Sequence, residues 1–332
     1  MLMMLWHRLP LPKIVIDLSQ YIPLRIVITF LQSLPQLGAA ITGKYAGRLL
    51  YTLNRHHRDI ALKNLLNAYP GKLTRDEALK IVRGVYEHYG VMIAHVCHKN
   101  RLIRKDTWSK YVRFENIEVL EKLYRENKGV ILVGGHLGNW ELALFTLVWN
   151  DYPISPIIFR QLNPFVDKMI ERNRYPATKF IYIDNAIGPC VKTLLRGEII
   201  AYMADFTGRR KGLQIKFFGQ TASTIRAPAT IAMKSMSPIL PYYSYREGLG
   251  LKYVVGFEEP IYPSSGGNTA AAVHEMTQQY TESLEKIIRR HPEQWVWFHR
   301  RWKKYNGMNA EKLPNNPTDG KRELSAFTHS EK

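Results

Sequence analysis

His136 and Glu141 stand five residues apart in the stretch VILVGGHLGNWELALF, Val130 to Phe145. A histidine and a carboxylate within reach of each other make a general-base unit. The carboxylate accepts a hydrogen bond from one ring nitrogen, fixes the tautomer and favours the imidazolium that forms, while the other nitrogen takes a proton from an attacking hydroxyl. In one regular helix a five-residue step turns the two side chains about 140° apart, too far to touch. The pair therefore requires His136 in a loop and Glu141 in the first turn of a helix. No nucleophilic Ser or Cys accompanies this base, which points to a substrate that brings its own nucleophile.

The flanking sequence fits that requirement. GVILVGG is apolar throughout, as a strand covered on both faces is, and NWELALFTLVW reads as a helix starting near Leu137 to Asn139. Gly134, Gly135 and Gly138 permit a tight turn and close backbone approach between them. The amides from Gly135 to Asn139, beside a helix N-terminus, suit a phosphate or a tetrahedral oxyanion. The bland alternative is that His136 caps the helix and Glu141 complements its dipole.

Farther out, the β-rich runs ISPIIF, KFIYI, EIIAYMA, SPILPYYSY and KYVVGF alternate with helical stretches. This predicts an α/β fold with a mixed, largely parallel central sheet flanked by helices. Residues 59–127 read as a helical lead-in, with Thr74 and Glu77 forming a capping box. Residues 128–304 read as the α/β core, and 305–332, rich in Asn, Lys and Glu, as a disordered tail. HEMTQQYTESLEKIIRRHP reads as a last helix that stops before Pro292.

Composition narrows the partners. The 332 residues carry a formal charge of +19, which calls for a polyanion: an anionic membrane, a phosphorylated substrate or nucleic acid. Residues 1–58 mix apolar side chains with Arg8, Lys13, Arg25, Lys44, Arg48, Arg55 and Arg58 against Asp17 alone, as expected of membrane-facing helices on an anionic bilayer. Ile22–Ile41 is interrupted by Arg25, Pro23 and Pro35, so a clean membrane-spanning helix is not expected there. Cys97 and Cys190 read as two separate thiols rather than a disulfide framework. His88, His95, Cys97 and His98 share one helix but lack a complementary cluster, so no metal site is expected. WVWFHRRWKK interleaves aromatic and basic residues as single-strand nucleic-acid binders do, yet it equally suits a bilayer interface or a closing core strand. Without a nucleic-acid motif elsewhere, no nucleic acid is expected.

From about Arg55 to Lys303 the chain resembles the lysophospholipid-acyltransferase superfamily, and within it the lipid A biosynthesis acyltransferases. The likeness is carried by RDIALKNLLNAYPGKLTRDEALKIVRGVYEHYG, GGHLGNWEL, FRQLNPFVD, LLRGEIIAYMAD, KFFGQTASTIRAPATIA, SPILPYYSYRE and HPEQWVWFHRRWK, in the family's order. It implies transfer of a fatty acyl chain from a thioester, on acyl carrier protein or coenzyme A, to a hydroxyl of a membrane glycolipid. It implies no cofactor, and a place at the cytoplasmic face of the inner membrane. The family's catalytic pair falls on His136 and Glu141. Arg160 is then a candidate to hold a phosphate or phosphopantetheine. Asp205, at a strand's carboxyl end, falls on a family acidic position, with a purely structural hydrogen bond as the alternative. Gly135 and Asn139 join the substrate-binding candidates through their amides, and Arg226 and Arg246 as partners for lipid phosphates. Phe217 and Phe218 read as core. The chain departs from the family at Phe206, where Gln is common, and at Ala227, where Gly is; both leave the acceptor and the acyl length open. Two further readings stay in view: a membrane-surface binding protein without turnover, and a thioesterase that uses water.

Overall fold

The structure, a computed structural model, describes residues 11–174, 179–264 and 269–303. The proposed tail, 305–332, lies outside the described residues. Among the described residues four helices come first: α1 (Leu11–Ser33), α2 (Gln36–Leu53), α3 (Arg55–Ala68) and α4 (Arg75–Leu102). The capping box forms at the start of α4: the Thr74 hydroxyl accepts from the Glu77 amide at 3.3 Å, and Glu77 Oε2 accepts from the Thr74 amide at 2.8 Å. Such a cap stabilises a helix by about 1 kcal/mol.

The sheet has seven strands: β1 (Val112–Glu115), β2 (Val130–Gly134), β3 (Ile154–Ile158), β4 (Ile181–Tyr182), β5 (Ile199–Met203), and two more named β8 (Ile239–Arg246) and β9 (Tyr253–Phe257). Between them β6 (Leu213–Phe217) and β7 (Gln220–Thr224) pair as a separate antiparallel hairpin. The spatial order of the sheet is β1-β9-β8-β2-β5-β3-β4, parallel at every pairing except β8 with β9. The mixed, largely parallel sheet read from the sequence is the one found. All five residues of β2 are buried, which matches its unbroken apolar run at the sheet's centre. Crossovers run through α5 (Ile117–Arg125), α6 (Trp140–Trp149), α7 (Pro164–Arg174), α8 (Ile187–Leu194) and α9 (Ala227–Ser235), and α10 (Thr269–Arg290) follows the last strand. Phe217 and Phe218 are core, as expected, at 1% and 3% exposure.

Two details differ from the sequence reading. Strand β1 comes from Val112–Glu115, inside the stretch read as helical; its four residues VRFE carry too little apolar patterning to announce an edge strand. At the N-terminus, Lys13–Ser33 is one unbroken helix of 21 residues with mean hydropathy 1.6, long and apolar enough to cross a membrane by length and composition. The helix runs through Pro23, and its one acid, Asp17, is paired with Lys13 at 2.9 Å.

α2 shows how the N-terminal region is attached. Its small-residue face, Ala39, Ala40, Gly43 and Gly47, is buried. A Cβ at Gly43 would lie 2.2 Å from the Gly90 carbonyl oxygen of α4, and one at Gly90 would lie 1.9 Å from that of Gly43. The two backbones approach in a way only glycine permits, as in small-residue helix crossings. Packing through that face turns Leu37, Ile41, Tyr45 and Leu49, one every four residues, outward to solvent.

Candidate active site

The parallel strands β2, β3, β5 and β8 end on the same edge of the sheet, the edge where ligands bind in open α/β folds. His136 follows β2, Arg160 follows β3, Asp205 follows β5 and Arg246 ends β8. The loop after β2 has the anticipated form. His136 lies in a bend, and α6 begins at Trp140, with Glu141 in its first turn. Asn139 caps that helix, its Oδ1 accepting from the Leu142 amide at 3.0 Å. Gly138 has φ +59°, and a Cβ there would lie 2.0 Å from the Ser244 carbonyl oxygen, so this turn excludes every larger residue.

The imidazole has a carboxylate partner distant in sequence. His136 Nδ1 lies 2.8 Å from Asp205 Oδ1, and the His136 amide donates to Asp205 Oδ2 at 2.7 Å. Asp205, read from the sequence as a substrate-binding position or a structural hydrogen bond, thus meets the ring that local spacing paired with Glu141. The adjacency of β2 and β5 brings it there from 69 residues away. A carboxylate is acceptor-only, so Nδ1 carries the shared proton and Nε2 is the nitrogen that can act as base. Glu141 is half-buried, and its charge, after burial itself, raises the pKa of the Tyr242 phenol.

Asp205 is 2% exposed. Burial by itself would raise its pKa, but the His136 charge and the hydrogen bonds from His136 outweigh that and hold the carboxyl well below its ordinary range. A third donor, Trp295 Nε1, reaches Asp205 Oδ2 at 2.9 Å. Gly135 leaves room for this cluster: a Cβ on it would come within 3.2 Å of Asp205 Oδ2.

The loop carrying His136 is held from two other directions. From α4, the Tyr89 hydroxyl donates to the His136 carbonyl at 3.1 Å, and His88 Nε2 lies 3.1 Å from the Gly138 carbonyl. Burial, with Arg246 nearby, lowers the His88 pKa to about 3, so the ring is neutral and donates through Nε2. From the C-terminal segment, Val296 donates its amide to the His136 carbonyl at 3.3 Å, and the Gln294 carbonyl accepts from the Gly138 amide at 3.0 Å. These bonds alter the expected oxyanion donors. The amides of His136, Leu137 and Gly138 are committed to Asp205, Gly135 and Gln294, which moves the search to Asn139 and Trp140 at the helix start.

The remaining candidates are dispersed. Arg160 is exposed, its guanidinium 3.7 Å above the Tyr182 ring, whose hydroxyl donates to Glu171 at 2.6 Å. Arg226 is half-buried and precedes the first residue of α9, with no capping hydrogen bond from its side chain. Arg246 exchanges two hydrogen bonds with the Gln294 amide group through its backbone, and burial lowers the pKa of its guanidinium. The histidines of α4 serve separate bonds: His95 Nδ1 meets the Tyr253 hydroxyl at 2.9 Å, and His98 Nδ1 the Ala94 carbonyl at 2.9 Å. Among the described residues no group of three His, Cys, Asp or Glu is placed to hold a metal.

Residues that sequence reasoning passed over lie mostly in the C-terminal segment. Trp295 and Trp297 are fully buried. Arg301 is 1% exposed, donating to the Ser223 carbonyl at 2.6 Å and the Thr224 hydroxyl at 2.7 Å, with its guanidinium 4.8 Å above Phe217. The closing-core interpretation of WVWFHRRWKK is the one that fits. Its signal was the tryptophans themselves, whose large apolar area favours burial.

Comparison with known proteins places the chain in a family. The family model for bacterial lipid A biosynthesis acyltransferases matches residues 14–304. The lipid A biosynthesis lauroyltransferase of Escherichia coli K12 is 24% identical over 267 residues, covering 77% of this chain and 82% of that one. The phosphatidylinositol mannoside acyltransferase of Mycobacterium tuberculosis CDC 1551 is 24% identical over 183 residues, 52% of this chain and 54% of its own. Among solved structures, the 1-acyl-sn-glycerophosphate acyltransferase of Thermotoga maritima overlaps with a TM-score of 0.38 at 14% identity, covering 81% of this chain and 100% of that one.

If Asp205 fixes the tautomer, Asp205→Asn should lower turnover by about four orders of magnitude, the scale on which a misassigned tautomer costs a His-dependent enzyme. Glu141→Gln should cost at least tenfold less than Asp205→Asn. Steady-state rates of the two purified variants decide the matter, and a larger loss in Glu141→Gln would return the orienting role to Glu141.

Proposed function

The chain belongs to the bacterial lipid A biosynthesis acyltransferase family, and on that premise we propose that it is a membrane-associated O-acyltransferase whose base is His136. It moves a fatty acyl chain from an acyl thioester, carried by acyl carrier protein, to a hydroxyl of a phosphorylated glycolipid, a lipid A precursor. The observation that carries this reading is the short bond between His136 Nδ1 and the buried, ionised Asp205 at the carboxyl edge of the sheet. The His136 side chain remains 20% exposed, so a substrate can reach it.

The chemistry follows from those positions. His136 Nε2 accepts the proton of the acceptor hydroxyl as its oxygen attacks the thioester carbonyl carbon. The imidazolium that results is stabilised by Asp205 across the Nδ1 bond. Negative charge gathers on the former carbonyl oxygen, and amides at Asn139 and Trp140, at the N-terminus of α6, suit it. The intermediate collapses with rupture of the carbon–sulfur bond, and the departing thiolate takes the proton back from Nε2. An ester and a free thiol are released, and the histidine is neutral again. Arg160, placed after the neighbouring strand and stacked on Tyr182, is suited to a phosphate of either substrate. Glu141, in the first turn of α6, stands in this reading as the second acid of the base unit, and Arg226 as a further substrate contact. Arg246 fits it less well, since its backbone is tied to Gln294 and its guanidinium is largely withdrawn from water.

Two faces support the membrane assignment. α1 exposes Val15, Ile16, Ile26, Val27 and Phe30, and α2 exposes Leu37, Ile41, Tyr45 and Leu49. Apolar patches of this extent on a chain of charge +19 suit an anionic bilayer, here the cytoplasmic face of the inner membrane. A second acceptor class, another bacterial glycolipid, is supported by the likeness to the mycobacterial phosphatidylinositol mannoside acyltransferase, with acyl coenzyme A as the alternative donor.

Two experiments test the reading. Mass spectrometry of lipids from cells making the wild-type protein should show one added acyl ester on a phosphorylated glycolipid. The same cells making His136→Ala should lack that ester, with transfer reduced at least a thousandfold in vitro; an undiminished ester would remove His136 from the chemistry, and free fatty acid alone would mark a thioesterase. For the membrane, Leu37→Glu combined with Leu49→Glu should lower cosedimentation with phosphatidylglycerol vesicles at least tenfold. Unchanged vesicle binding by that folded variant would place the contact elsewhere.

A further inference from the structure

The base reading uses His136 and Asp205 but leaves out the rings packed around the imidazole. Phe206, the residue after Asp205, lies parallel to His136, with ring centroids 4.3 Å apart and planes 5° apart. Trp140, the first residue of α6, meets the same imidazole at 71° with centroids 4.7 Å apart. On its far side Phe206 rests on His299, at 4.9 Å, and His299 in turn packs on Trp295 at 5.1 Å. The stack is therefore backed by the same C-terminal segment that donates to Asp205.

We propose that Phe206 and Trp140 form an aromatic clamp on His136, with Phe206 holding the ring plane and stabilising the imidazolium that forms during transfer. The proposal rests on the reading of His136 as the base. A hydrogen bond at Nδ1 fixes one direction of the imidazole but leaves the ring free to rock about it. A parallel ring on one face and a perpendicular ring beside it remove that freedom, so Nε2 is aimed before the substrate arrives. Phe206 also contributes electrostatically. The face of a benzene ring carries partial negative charge, and a cation within about 6 Å of its centroid is attracted to it. Neutral imidazole gains little from that face, whereas imidazolium gains more, so the contact strengthens as the proton is taken up.

The charged and titratable groups around His136 leave this role open to Phe206. Asp205, after β5, supplies the anion at Nδ1. Tyr89, from α4, donates to the backbone carbonyl and not to the ring. Glu141 lies on α6, one residue beyond Trp140. Tyr242, on β8, has its pKa raised by burial and remains a neutral phenol. In the C-terminal segment, burial lowers His299 to about 3, so this second histidine is neutral and adds no charge behind the stack. Arg301 is lowered to about 10, chiefly by burial, and keeps its charge at neutral pH, spent on the Ser223 carbonyl and the Thr224 hydroxyl. Phe206 thus acts through His136 as a positioning residue and need not touch the substrate.

The test compares Phe206→Leu, which keeps an apolar side chain without a π face, with Phe206→Tyr, which keeps the ring. Phe206→Leu should lower kcat about 3- to 10-fold with KM within twofold, the range expected for one cation–π contact. The acid limb of its pH–rate profile should move to lower pH by about half a unit, because the imidazolium has lost a stabilising contact. Phe206→Tyr should restore both. Wild-type kcat and an unmoved acid limb in Phe206→Leu would overturn the clamp, as would equal losses in the Leu and Tyr variants. A ring-resonance titration of His136 by NMR reads the same effect without turnover. If His136→Ala transfers acyl chains at the wild-type rate, the base reading falls by itself, and the clamp then stands or falls on whether Phe206→Leu moves that titration.

Discussion

A carboxylate at 2% exposure is costly to hold inside a protein unless donors surround it, and Asp205 is surrounded. One oxygen receives the ring proton of His136, and the other receives the His136 amide and the Trp295 indole. The donors come from two parts of the chain, the loop after β2 and the segment after α10, and the carboxylate itself from the end of β5. Removing the ionised group would leave three buried donors facing one another. The ends of two central strands and the C-terminal segment thus depend on a single charge, and that charge also sets which nitrogen of His136 is free to react.

The surrounding architecture can be read as what this arrangement requires. β2 and β5 must be neighbours, which they are by parallel pairing from Val130↔Ile199 to Gly134↔Met203. The turn after β2 must pass close to β8, which Gly138 permits. The loop must not drift, and α4 and the C-terminal segment hold its carbonyls through Tyr89, His88 and Val296. α4 does double duty, since its other face accepts the glycine-rich side of α2. The helices with exposed apolar faces are therefore tied, through one long helix, to the turn that carries the base.

Much of this was legible in the residue pattern, and its failures have a common cause. The apolar run Val130–Gly134, the glycines, and the helix beginning at Trp140 announced a strand, a turn and a capped helix, and those are what form. The Asp205 contact was not legible because sequence spacing points to Glu141, five residues away, whereas strand order brings Asp205 to the ring from 69 residues away. The contacts of Trp295 with Asp205 and of Phe206 with His136 were not legible for the same reason: they exist only once β5 and the C-terminal segment close around His136. The edge strand Val112–Glu115 was missed on other grounds, its four residues carrying no run or alternation long enough to distinguish it from a linker.

The central claim is that Asp205 fixes His136 as the Nδ1-protonated tautomer with Nε2 free to take a proton. Nitrogen-15 chemical shifts of the His136 ring, measured in the folded protein at a pH where the imidazole is neutral, test this without substrate. The account predicts a protonated Nδ1 with a strongly downfield proton, an unprotonated Nε2, and loss of the downfield proton in Asp205→Ala. A neutral His136 protonated at Nε2, or an unchanged spectrum in Asp205→Ala, would contradict it.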